Sequence, residues 1–140
     1  MTISAVLLGT SGLVLGRYLA RTSARRAAQV FAQDLAHARM LAVRGRAPVV
    51  VRFHESTLRY ELGPVGAGDP WVRRSFGGAQ GIDLSLVALD LAGDSLVFDR
   101  RGVADLSGAG GSLGRARFQA GPTTYTVRFN GLGAARVEAS

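Results

Sequence analysis

At 140 residues and without a single Cys, the chain is sized for one domain with an appendage, and it excludes a disulfide framework or a thiolate metal site. Its 17 basic residues are all Arg, and the net charge of +7 sits on residues 1–52, where eight Arg face Asp34 alone; residues 53–140 carry nine Arg and nine acidic residues. A surplus so placed favours a membrane-flanking segment over a basic nucleic-acid-binding domain.

The first sixteen residues, MTISAVLLGTSGLVLG, hold no charge. A helix needs about 20 residues to cross a bilayer core, and Arg17 and Arg21 can extend the run by snorkelling. A cleaved secretory signal fits poorly, because no basic segment precedes the run and no small-residue cleavage site follows it. Gly12 and Gly16, at GxxxG spacing, offer a surface for close helix packing. The run then passes without a break into a helical pattern. Ala24, Ala28, Phe31, Leu35, Ala38 and Ala42 recur every three or four residues and make one apolar face. Gln29, Gln33, Asp34 and His37 fall off that face. The segment RGRAP stops the helix, with Gly45 near its C-cap and Pro48 beyond. One helix of roughly 40 residues is predicted, about 60 Å long at 1.5 Å per residue.

After Pro48 the period changes from 3.6 to 2. VVVRFH alternates Val49, Val51 and Phe53, and TLRYEL alternates Leu58, Tyr60 and Leu62; the short His54–Ser56 connection makes them a hairpin. WVRRSF, IDLSLV, SLVFD, ARFQA, TYTVRFN and AARVEA read as further strands, each bounded by Gly, Pro or Asp. The expected fold is α+β: one long N-terminal helix packed on a mostly antiparallel sheet domain. Residues 1–23 form a hydrophobic half-helix. Residues 24–140 form the globular domain, with an amphipathic half-helix over 24–46 and the sheet over 48–138. Phe31, Leu35, Ala38 and Ala42 are the expected helix-to-sheet core.

Candidate chemistry is sparse. His37 and His54 have no clustered carboxylates or thiols around them, so no metal or other cofactor is expected. Asp99 in SLVFDRRGVAD reads as a turn residue that bonds its own backbone. Ser107 and Ser112 have no nearby His, and GAGGSLG lacks the Lys-Ser/Thr of a phosphate loop. No enzymatic activity is expected.

The segment ARRAAQVFAQDLAHARMLAVRGRAPVVVRF resembles the GspH/FimT family of type II secretion pseudopilins and minor type IV pilins. Leu35, Ala38, Arg39, Ala42, Arg44, Gly45, Pro48 and Val49 fill its LxxARxxAxxRGxPV pattern, with one extra residue in RGRAP. Phe98, Asp99 and Gly102 resemble a later Phe-Asp-x-x-Gly turn, and YTVRFNGLGAARVE resembles the closing strand pair. The resemblance runs from about residue 24 to the end. It implies a filament subunit that assembles with copies of itself or other pilin-like subunits, after a stage anchored in the inner membrane. A prepilin peptidase and inner-membrane assembly machinery are the implied partners, and a periplasmic or extracellular filament the implied destination. Ile3, Val6, Leu7, Leu8, Gly12, Leu13, Val14, Leu15 and Gly16 would then form the filament-packing helix, with Met1 as the processed N-terminus. Ala5 stands where the family carries a Glu that pairs with a neighbour's terminal amine. The alternative function is a DNA-binding minor pilin acting in DNA uptake, with Arg115, Arg117, Arg128 and Arg136 as the candidate phosphate contacts.

Overall fold

The structure, a computed structural model, describes residues 2–66, 68–76, 84–106 and 113–139, with side chains described from residue 18 onward apart from 20 and 92. A single helix, α1, runs from Thr2 to Gly45. No proline interrupts it. Its end differs in one detail from the predicted cap: Arg46, not Gly45, takes the left-handed conformation (φ 50°), while the Ala47 N–H bonds the Ala42 carbonyl at 3.3 Å. The residue inserted in RGRAP therefore makes the turn that releases the chain toward Pro48.

Among the described residues eight strands follow: β1 (Val49–His54), β2 (Arg59–Pro64), β3 (Val72–Ser75), β4 (Leu86–Leu89), β5 (Ser95–Phe98), β6 (Gly114–Ala120), β7 (Thr123–Phe129) and β8 (Ala135–Ala139). They form two four-stranded sheets rather than one, in the orders β3-β2-β1-β5 and β4-β6-β7-β8. Every pairing between these strands is antiparallel. The predicted β1–β2 hairpin forms with His54 opposite Arg59, closed by a 3-10 turn at Glu55–Thr57 and by Leu58 at φ 52°. The strand expected in IDLSLV is Leu86–Leu89, later than its sequence pattern, because Ser85 already bonds the Gln119 carbonyl through its backbone N–H and the residues after it pair with β6. Residues 77–83 lie outside the described residues. The alternation in β1 is also incomplete, since Val50 is buried along with Val49, Val51 and Phe53. Val50 lines a small cavity with Gly63 and Pro64 of β2 and Pro70 of the loop after it. The Trp71 N–H holds that loop to the Leu62 carbonyl at 2.8 Å.

The core lies between the second half of α1 and the two sheets. Ala24, Ala27, Ala28, Phe31, Leu35, Ala38 and Ala42 are fully buried. Phe31 is the hub, with its ring centroid 5.3 Å from Phe53, 5.4 Å from Tyr60, 5.5 Å from Phe118 and 6.0 Å from Phe129. The five buried alanines of this helix let the sheets approach closely, so one large ring fills the gap between them. Among the described residues no helix is long and apolar enough to cross a membrane.

Candidate assembly surfaces

The two halves of α1 meet different surroundings. From Ala24 onward one face is buried by strands of both sheets. Just before it, the Arg21 Nε reaches the Tyr125 hydroxyl at 3.4 Å, and Tyr18 and Leu19 are 65 % and 55 % exposed. The helix therefore leaves the globular domain near residue 21. Met1 lies outside the described residues, as do the side chains of Ile3, Val6, Leu7, Leu8, Leu13, Val14 and Leu15; the backbone at these seven positions, and at Gly12 and Gly16, is helical.

Asp34 corrects the helical-wheel reading. It was expected off the buried face, yet it is only 6 % exposed. The Tyr60 hydroxyl of β2 donates to its Oδ2 at 2.5 Å, and Arg74 of β3 grips it with Nε on Oδ2 (3.1 Å) and Nη2 on Oδ1 (3.3 Å). Tyr60 and Arg74 are direct cross-strand partners, so one carboxylate ties α1 to two strands, including the edge strand β3. Burial raises the Tyr60 pKa, and the neighbouring Asp34 charge raises it further. The Arg74 pKa is likewise raised by its hydrogen bonds to Asp34. A charge beside Ala and Phe positions belongs in such a core only when it is paired.

The Phe-Asp-x-x-Gly turn proves to be one of a pair. Asp99 Oδ1 accepts the backbone N–H groups of Arg101 (2.9 Å) and Val103 (3.0 Å). Asn130 Oδ1 accepts those of Leu132 (3.0 Å) and Ala134 (3.1 Å) in the same pattern. Gly102 and Gly133 occupy the same place in each turn, with φ of 77° and 75°. Phe98 and Phe129, one residue before each turn, are fully buried. The turns are joined by the Ala104 N–H on the Gly131 carbonyl at 2.7 Å. Both close on Arg39, whose Nε bonds the Gly102 carbonyl at 3.2 Å and whose Cδ would lie 3.7 Å from a Cβ on Gly133. A Cβ on Gly102 would lie 2.8 Å from Val43 Cγ2, so glycine is needed there for conformation and for space. The N–H groups of Val103 and Arg101 hold the Asp99 carboxyl below the usual carboxylate range. Asp99 is thus occupied by its own backbone and is structural.

The four candidate arginines lie on the outer face of the second sheet. Arg115 stands directly opposite Arg128, and Arg128 opposite Arg136, so three guanidinium stems form one row across β6, β7 and β8. The row is partly compensated: Arg128 Nε meets Glu138 at 3.2 Å, and Arg117 sits off the row with Nη2 3.2 Å from Asp90. Arg128, Arg136 and Glu138, with Leu113 and Asn130, line a shallow groove of about 330 Å³.

Residues 27–133 match the family described as type II transport protein GspH. The chain belongs to the GspH family. No curated protein matches it by sequence. Among solved structures, the GspH-family chain is similar to the type IV minor pilin FimU of Pseudomonas aeruginosa (strain PAO1). The TM-score is 0.63 at 19 % identity, over 86 % of this chain and 94 % of that one. It is also similar to the minor pseudopilin EpsH of the Vibrio cholerae type 2 secretion system, with a TM-score of 0.56 at 17 % identity over 84 % and 97 % of the two chains. These likenesses show the pilin-like fold, a long helix on antiparallel sheets, over 84–86 % of the chain. A GspH-family chain is a structural, non-enzymatic subunit of the pilin and pseudopilin class, and it assembles with other subunits of that class.

Three features of this GspH-family chain were not legible as functional in the sequence. The Asp34–Tyr60–Arg74 link joins residues 26 and 40 positions apart. The equivalence of FDRRGVA and FNGLGAA was visible in principle as a repeated Phe-Asx-x-x-Gly. Arg39 has no sequence signal beyond its place in the family pattern, and its role appears only when both turns close on it.

Proposed function

We propose that this chain is a filament subunit that assembles through the apolar first half of α1. The observation that supports the reading is the unbroken helix of Thr2–Gly45, whose second half is covered by the sheets while Tyr18 and Leu19 stand exposed. Before assembly, residues 1–23 hold the chain in the inner membrane, with Arg17 and Arg21 at the polar boundary. Prepilin peptidase and the inner-membrane assembly machinery act on it there, with Met1 as the processed residue. Within a periplasmic or extracellular filament, the same apolar side chains pack against neighbouring helices, each worth about 1.5–3 kcal/mol when fully buried. Ala5 offers no carboxylate to a neighbour's amine, so entry rests on apolar packing. Replacing Leu8 and Leu13 together with Arg in the full chain is expected to remove it from both the membrane fraction and sheared filaments, since each Arg costs about 2.5–3.5 kcal/mol in a helix centre. Wild-type levels of the double variant in both fractions would sink the reading.

The arginine row favours a second reading, DNA binding in uptake. If Arg115, Arg117, Arg128 and Arg136 contact phosphates, affinity for duplex DNA falls steeply with salt, by about 0.9 log units per contact for each tenfold rise. Changing all four to Gln then flattens that slope. Weak, shallow binding that the four changes leave untouched is the expected result, because Glu138 and Asp90 already engage two of the four.

A further inference from the structure

Four large apolar side chains left exposed by the fold gather at one end of the molecule. Met40, Val43, Val103 and Leu132 are between 41 and 55 % exposed. They are contiguous: Met40 and Val43 share a helix face, and Val43 packs over Gly102, next to Val103. A Cβ on Gly131 would lie 3.8 Å from Val103 Cγ1, and Leu132 follows directly. The base of the patch is rigid, because both turns are closed by side-chain bonds and joined to each other. Its rim is cationic. Arg39 and Arg44 flank Met40 and Val43 in sequence, and the exposed Arg100 and Arg101 belong to the Asp99 turn. Of the described carboxylates at this end, Asp99 is engaged by its own turn and by Arg101, and Asp105 has a partner of its own.

We propose that this end is a docking face for a different, acidic subunit of the filament, not for a second copy of this chain. The inference rests on the filament-subunit reading and adds the place and charge of the contact. An apolar centre on rigid backbone with a charged rim is the anatomy of a protein interface. A second copy is itself cationic, with a net charge of +7. Among the described residues, Asp34, Glu61, Asp90, Asp99 and Glu138 are already in ion pairs, and Asp105 has a partner. Glu55 and Asp94 lie near the turn end of the β1–β2 hairpin, which also carries Arg52, His54 and Arg59, and Asp69 lies in the loop after β2. Copy-to-copy docking would set these arginines against a chain that itself carries an arginine surplus. A lipid surface is out of reach: Met40 lies 22 residues beyond Tyr18 on the same helix, about 33 Å at 1.5 Å per residue. A nucleic acid would meet an apolar centre where it needs donors.

The test is site-specific photocrosslinking of the full chain in its native host, with a photoreactive residue at Val103 or Leu132 and the adduct identified by mass spectrometry. The expected adduct is a distinct pilin-like chain, cross-linked beside a cluster of Asp or Glu. It should be lost when Arg100→Glu and Arg101→Glu are introduced, and absent when the probe sits at the exposed Val65. An adduct with a second copy of this chain, with lipid or with nucleic acid overturns the proposal. So does an adduct indifferent to the two charge reversals, or no adduct from a chain that accumulates normally. A parallel probe at Leu13 reports the assembly reading separately: cross-links to pilin-like helices there, without any at Val103 or Leu132, leave a filament subunit whose docking face lies elsewhere.

Discussion

Phe31→Ala is expected to destabilise the folded domain by about 3–5 kcal/mol in a urea melt, the largest effect of any single truncation in this core. The ring is fully buried and meets four other aromatic rings drawn from both sheets. Its removal leaves a cavity bounded by Phe53, Tyr60, Phe118 and Phe129, which cannot collapse inward without shifting strands of β1, β2, β6 and β7 together. The preceding helix residues on that face, Ala27 and Ala28, have no side-chain length to fill the gap. Gln33→Ala, on the exposed face of the same helix, is the control and is expected to change stability by less than about 0.5 kcal/mol. Equal and small effects from both variants would mean that α1 is not docked through Phe31.

Asp34→Ala is expected to cost about 2–3 kcal/mol, because it leaves the Tyr60 hydroxyl buried with no acceptor. The loss is less than for a wholly buried ion pair, since the Arg74 side chain is 45 % exposed and can turn to solvent. Arg74→Ala alone should therefore cost less than Asp34→Ala. The same link sets the alkaline limit of stability. Tyr60 holds its proton in the folded chain beyond its ordinary pKa of 10.0, whereas the unfolded chain releases it there. A group with a raised folded pKa contributes stability that is complete below the unfolded value and declines above it. Stability should fall by about 1.4 kcal/mol per pH unit above pH 10. Tyr60→Phe should abolish that slope. An alkaline profile identical in Tyr60→Phe and the parent chain would rule out the hydroxyl as its source.

The long helix, its stop before Pro48 and the β1–β2 hairpin are determined by local sequence alone. Period 3.6 in Ala24–Ala42, period 2 in VVVRFH and TLRYEL, and the Gly and Pro punctuation between strands act over a few residues, where backbone sterics and side-chain spacing leave few choices. Asp99 as a turn residue follows from the same short-range chemistry, since an Asx side chain bonds the N–H groups two and four residues on. Only the tertiary structure decided the division into two sheets, because strand order depends on which β-runs meet across α1 and not on any run by itself. It also decided that Asp34 points inward. A helical wheel assigns faces by the average of its residues, and one charge can cross to the buried side when Tyr60 and Arg74 arrive from distant strands to satisfy it. The pairing of the Asp99 and Asn130 turns over Arg39 is decided in the same way, since each turn is locally complete and only the closing of β5 and β7 onto α1 brings them together. The exposed patch of Met40, Val43, Val103 and Leu132 exists because that closure covers the helix on one side and leaves the other bare.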